Sequence, residues 1–162
     1  MPIRFPTQQE LRSFEGKNIK DICPRGFHNN KSNHCAHFVA HVLHINKGVN
    51  CSGMGGAKPG EAASVQVDAL FGLCASVGKW GDLPAGTPNC LAFVTSARNV
   101  RVSTKTMGGD PNRHIGFFIE VAWKVWHYDN DKDMVVSQRL DEFKFHYYKI
   151  PGYQEMYWGL LP

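Results

Sequence analysis

Cys35 heads a run from about residue 34 to 46 whose apolar positions recur with helical spacing, ended by Gly48. A thiol in the first turn of a helix is a candidate nucleophile, because unpaired N–H groups and the helix dipole favour thiolate. On a helical wheel Phe38, Val39, Val42 and Leu43 fall within about 80° of Cys35, so the sulfur sits on the core-facing side. The backbone N–H of Cys35 is the expected donor to an oxyanion formed beside it. The plainer alternative is that Cys35 is only a small buried hydrophobe.

A cysteine nucleophile needs a base, and the base needs an orienting group. Among eight histidines, His114 opens an apolar strand just after Gly108-Gly109-Asp110-Pro111, and His127 lies on the next strand. If the hairpin between them turns over Val121-Ala122 with an even loop, His114 faces Asp129 and His127 faces Gly116 on one side of the sheet. Gly116 then leaves room for the imidazoles. A three-residue loop would reverse this phase. The orienting residue is expected to be His127, placed deeper by Val125 and Trp126, with Asp129 the alternative. His28 and His146 have no such neighbours and are expected at the surface or on a strand.

His37, His41 and His44 form a row at helical spacing about 180–240° from Cys35, with His34 just beyond. The i, i+4 pair could bind a metal, but no carboxylate shares the stripe and it is expected to be a solvated polar face. Cys23, Cys51, Cys74 and Cys90 make, with Cys35, an odd total of five. No CxxC pair is present, so no zinc site of ordinary spacing is expected and no metal is assigned. The four cysteines could form two bridges in an oxidising compartment; buried thiols are the favoured expectation.

The elements that must position these groups follow from pattern. Thr7-Gln8-Gln9-Glu10 reads as a capping box opening a short helix that stops at Gly16. Residues 23–34 are rich in turn formers, and residues 51–60, with four glycines and a proline, read as a mobile loop. Glu61 to about Ser76 reads as a third helix. Beyond Trp80 the pattern becomes strands: Cys90–Val94 after a turn at Leu83–Thr87, then His114–Val121, Trp123–Tyr128, Met134–Ser137, Lys144–Ile150 and Met156–Leu161, with one helical turn at Leu140–Phe143. Helices first and antiparallel strands afterwards predict an α+β fold rather than a doubly wound sheet.

Asn33-His34-Cys35-Ala36-His37-Phe38-Val39, then Arg113-His114-Ile115-Gly116-Phe117-Phe118, then Val125-Trp126-His127, resemble in order and texture the NlpC/P60 and CHAP cysteine hydrolases. Leu83-Pro84-Ala85-Gly86 is similar to the strand entry that precedes their histidine. The resemblance spans roughly residues 33 to 137, with His34 standing where many members have Asp. It implies a papain-like fold with N-terminal helices packed on a central antiparallel sheet, and an amidase or endopeptidase that cuts amide bonds in peptidoglycan stem peptides without a cofactor. Cys35 would be the nucleophile and His114 the base. The third residue would be His127 on the NlpC/P60 pattern, and Asp129 or Asn130 on the CHAP pattern. A hydrolase or acyltransferase of the same fold acting on protein or lipid is the alternative, and a non-catalytic binding module is another.

The chain's 162 residues predict one domain, expected to be a monomer, and 43% apolar with 12% aromatic content excludes a disordered chain. The net charge of +4 is unevenly spread: residues 1–60 hold eight Lys/Arg against three Asp/Glu, whereas residues 114–162 sum to −2. Such a patchy excess suits an anionic polymer such as cell wall, and no nucleic-acid motif or membrane-length apolar run is present. Met1-Pro2-Ile3-Arg4-Phe5-Pro6 is unlike a secretory signal. With the resemblance, that implies a toxin exported by a dedicated secretion machine to the periplasm or cell wall and matched by an immunity protein. A phage lysis enzyme or a cytoplasmic protein is the alternative.

Overall fold

The structure is a computed structural model and describes residues 2–54 and 59–162. The loop expected over 51–60 falls partly outside them; Cys51–Gly53 form a short 3-10 turn. The Thr7/Glu10 capping box is closed, with Glu10 N–H donating to Thr7 Oγ1 at 3.1 Å and Thr7 N–H donating to Glu10 Oε2 at 2.7 Å. It opens α1 (Gln8–Phe14), and Gly16 then turns the chain at φ +81°. Helix α2 (Cys35–Leu43) ends earlier than Gly48: His44 takes the left-handed conformation at φ 57° and donates its N–H to the carbonyls of Ala40 and His41.

Helix α3 covers only Val67–Leu73. The residues before it are used otherwise: Ser64 N–H donates to the Ile45 carbonyl at 3.0 Å, and Lys47 N–H donates to Ser64 Oγ at 2.7 Å. The residues after it form β1 (Ser76–Lys79). The remaining elements are β2 (Asn89–Thr95), β3 (Val100–Arg101), β4 (Thr106–Met107), β5 (His114–Ile119), β6 (Lys124–Asp129), β7 (Met134–Arg139), α4 (Leu140–Lys144) and β8 (Glu155–Leu160). The strand expected over Lys144–Ile150 is instead the end of α4 and a run of turns. Phe145, His146 and Tyr148 donate their N–H groups three residues back, a geometry that cannot extend into a ladder.

Six strands form one antiparallel sheet in the order β1-β8-β2-β5-β6-β7, and β3 and β4 make a separate ribbon. The fold is α+β. One sheet face, carrying Phe93, Ile115, Phe117, Trp126 and Tyr128, is covered by the helices, with α2 lying on β5 and β6. The other face, carrying Val94, Phe118, Val125 and Trp158, packs on Leu140 and Phe143 of α4.

The β5–β6 hairpin has the phase that sets the site. Phe117 pairs with Trp126, Phe118 with Val125 and Ile119 with Lys124, across the four-residue loop Glu120–Trp123. Alternation then puts His114, Gly116, Val125 and His127 on the α4 face. A Cβ at Gly116 would lie 2.8 Å from the Trp126 carbonyl and 3.0 Å from His127 Cβ, so only glycine lets β6 and its imidazole approach this closely.

Candidate active site

Cys35 is the first residue of α2 and wholly buried. Its N–H donates to Asn33 Oδ1 at 2.9 Å, which fixes the turn into the helix. That donor is therefore engaged rather than open to an oxyanion as the sequence suggested. The thiolate expectation is also corrected. Burial pushes the Cys35 thiol up to about 12, outweighing the N–H groups of Ile115 and Ala36 and the charge of Arg113. Within an enclosed site desolvation exceeds what a helix terminus contributes.

The start of β5 is pinned from outside the sheet. Arg113 Nη2 donates to Asp68 Oδ1 at 3.0 Å and its Nη1 donates to the Asp110 carbonyl at 2.6 Å, while Tyr153 Oη donates to Asp110 Oδ2 at 2.6 Å. His114 follows directly, 1% exposed, and its Nε2 lies 2.8 Å from His127 Nδ1. His127 Nε2 lies 2.5 Å from Gln138 Oε1. An amide oxygen only accepts, so His127 carries its proton on Nε2 and its Nδ1 accepts from His114 Nε2–H. That leaves His114 Nδ1 bare, and it is buried with no hydrogen-bond partner among the described residues. The ring lies on the α4 face of the sheet, whereas α2 and Cys35 pack on the other, and the link between them is the β5 backbone, where the Ile115 N–H donates to Cys35. Cys35 Sγ is not hydrogen-bonded to the His114 ring in this enclosed state.

Burial lowers the imidazoles further: His127 falls to about 4, with Gln138 opposing the shift, and His114 falls well below the usual histidine range. Asp129 makes no bond to either ring. Its Oδ1 accepts from the N–H groups of Asp131 and Lys132 and shapes the β6–β7 turn.

Two residues of this site escaped the sequence reading. Gln138 fell one position beyond the strand expected to end at Ser137, yet β7 runs on to Arg139 and brings it under His127. His146, expected apart from other histidines, stacks on His114 with ring centroids 3.8 Å apart and planes 9° from parallel. The turns after α4 fold it back there, and Phe143 touches both His114 and His127. The three imidazoles lie close enough together to suggest a metal. Lone pairs lie in the ring plane, however, and one ion cannot lie in the planes of two stacked rings.

The row on α2 also departs from expectation. His37 and His41 are buried, not solvated, and face Cys23 and Cys51; His44 stands apart in the open, 2.8 Å from Glu61 Oε1. All five cysteines are buried free thiols. No helix is long and apolar enough to cross a membrane among the described residues.

A cleft of about 530 Å³ is lined among others by Asn33, Asp129, Asn130, Gln138, His146 and Tyr147, which adjoin Cys35, His127 and His114 in sequence or by contact. Of its lining residues, His146 covers the His114 ring, and Tyr147 has its phenol pushed up by burial and then by the neighbouring Cys35. Compared with known proteins, the chain matches no protein-family model, no curated protein and no solved structure.

Proposed function

We propose that the protein is a cysteine amidase or endopeptidase of the papain-like NlpC/P60 or CHAP kind, acting on peptidoglycan stem peptides. The observation that carries this reading is the relay Gln138–His127–His114, which ends in a buried Nδ1 without a partner among the described residues, at the start of the strand whose Ile115 N–H donates to Cys35. In the proposed reaction the peptide displaces His146 and Tyr147, and Cys35 Sγ attacks the amide carbonyl as His114 Nδ1 takes its proton. The same nitrogen then returns the proton to the leaving amine. Water, deprotonated by His114, hydrolyses the thioester and restores the thiol. His127 holds His114 in the required tautomer, and Gln138 holds His127.

The character of the cleft supports a polar substrate. Its amides and carboxylates, Asn33, Asn112, Asn130, Asp129, Asp131 and Glu142, suit a hydrogen-bonding peptide with a free amine better than an acyl chain. Cys35→Ala and His114→Ala are each expected to abolish release of peptide fragments from purified peptidoglycan, with near-ultraviolet circular dichroism unchanged. Losses of similar size are expected, since the two groups act as a unit. Full activity in folded Cys35→Ala protein would exclude the mechanism, and cleavage of protein or lipid amides or esters alone would move the assignment to another substrate class.

A further inference from the structure

On the side of α2 turned away from Cys35, one turn from the nucleophile, four buried side chains converge. They come from three places: Cys23 after the first 3-10 turn, His37 and His41 on α2, and Cys51 in the 3-10 turn beyond it. Their ligand atoms all lie within 4.8 Å of one another. We propose that Cys23, His37, His41 and Cys51 form a structural zinc site that ties the loop before α2 and the turn after it to the helix carrying Cys35.

The separations fit one tetrahedral ion. Zinc bonds of about 2.3 Å to sulfur and about 2.0–2.1 Å to nitrogen place sulfurs about 3.8 Å apart, sulfur and nitrogen about 3.6 Å, and nitrogens about 3.3 Å. The two sulfurs are 3.8 Å apart, Cys51 Sγ is 3.9 Å from His41 Nε2, and His37 Nε2 is 3.1 Å from His41 Nε2. Two thiolates and two neutral imidazoles are a borderline-soft set that suits zinc, and with a divalent ion they sum to zero charge. A neutral cluster is the form a core can bury at least cost.

The surroundings orient these ligands. His34 Nε2 lies 2.6 Å from the Asn29 carbonyl and must donate to it, so His34 Nδ1 is an acceptor. His37 Nδ1, 3.1 Å away, therefore carries the His37 proton, and its Nε2 lone pair is aimed into the cluster. Ala63 N–H donates to Cys51 Sγ at 3.3 Å, the kind of bond that supports a metal thiolate. His34 thus serves the cluster while preceding Cys35, so the ion would brace the residue next to the nucleophile. The ligand order Cys-His-His-Cys, with thirteen, three and nine residues between successive ligands, contains no CxxC pair, so only the His37/His41 spacing was visible in the sequence.

Metal analysis of untagged, reduced protein tests this without reference to hydrolysis. About one zinc per chain is expected for the wild type and for His44→Ala, whose histidine lies outside the cluster, and below about a tenth for Cys51→Ser or His37→Gln. Cobalt added to metal-stripped, reduced wild type should give the thiolate charge-transfer band and the strong visible bands of a tetrahedral site. This second measurement stands even where the variants fail to fold. Wild-type protein that takes up neither ion would overturn the proposal, as would a Cys23–Cys51 disulfide found by peptide mass mapping of freshly purified, folded wild-type protein.

Discussion

His114 owes its protonation to a residue two strands away. Gln138 accepts from His127 Nε2, and that single acceptor orders both imidazoles so that the bare nitrogen of His114 is Nδ1. Gln138→Leu would leave a buried N–H without a partner, at about 1–3 kcal/mol, and would free the pair to reverse its tautomers. The proposed hydrolysis should then slow by on the order of tenfold, since about 1.4 kcal/mol is one decade in rate. His127→Ala removes the whole support and should lower the rate by on the order of 10²-fold. Asp129→Ala should be milder, because Asp129 holds a turn and neither ring. Initial rates of all three variants on one peptidoglycan preparation decide the ranking, and a larger loss from Asp129→Ala would replace His127 as the orienting residue.

Among elements, the turns after α4 have most to do with access. They stack His146 on His114 and bring Tyr147 close enough to feel the wholly buried Cys35, which makes this segment the proposed cover of the thiol. Tyr147→Ala should raise the rate of Cys35 alkylation by iodoacetamide at least several-fold, with Cys74 and Cys90 unchanged because sheet and helix bury them elsewhere. Peptide mass spectrometry over a labelling time course measures it, and equal rates in variant and wild type would show that Tyr147 is no barrier. The same segment marks where the sequence stops being legible. Local signals were sufficient for the α1 capping box and the head of α2, because each depends on residues within a few positions, whereas the β5–β6 phase hung on a loop length that the hairpin sequence left open and the four-residue loop decided. Lys144–Ile150 carries apolar and aromatic residues like a strand, and only its packing against His114 and Tyr153 makes it a series of turns. Gln138 and the Cys23–Cys51 approach depend on contacts between distant segments, which no periodicity encodes.

At the scale of the molecule, buried neutral histidine sets an acid limit to stability. His114, His127 and His146 all have their folded pKa lowered, chiefly by burial. Below the unfolded value of about 6.5 the unfolded chain binds protons that the folded chain refuses, so stability is full above that pH and falls beneath it. Each such group costs about 1.4 kcal/mol per pH unit, and for His127 the loss ends near its folded value of about 4. Urea unfolding at pH 7, 6 and 5 should show this decline, with a slope shallower by about one proton in His127→Gln. A flat profile would mean that these rings are already charged or open to water. The sheet order carries a different consequence. Among the described residues β8 is the sole partner of β1 and the neighbour of β2, and it supplies Met156, Tyr157 and Trp158 to the two sides of the core. On the ribosome, a nascent chain that has exposed both Cys35 and His114 still lacks the strand that joins β1 to the rest. Synthesis of β8, rather than of Cys35 and His114, therefore sets the moment at which the proposed site can first be held in place.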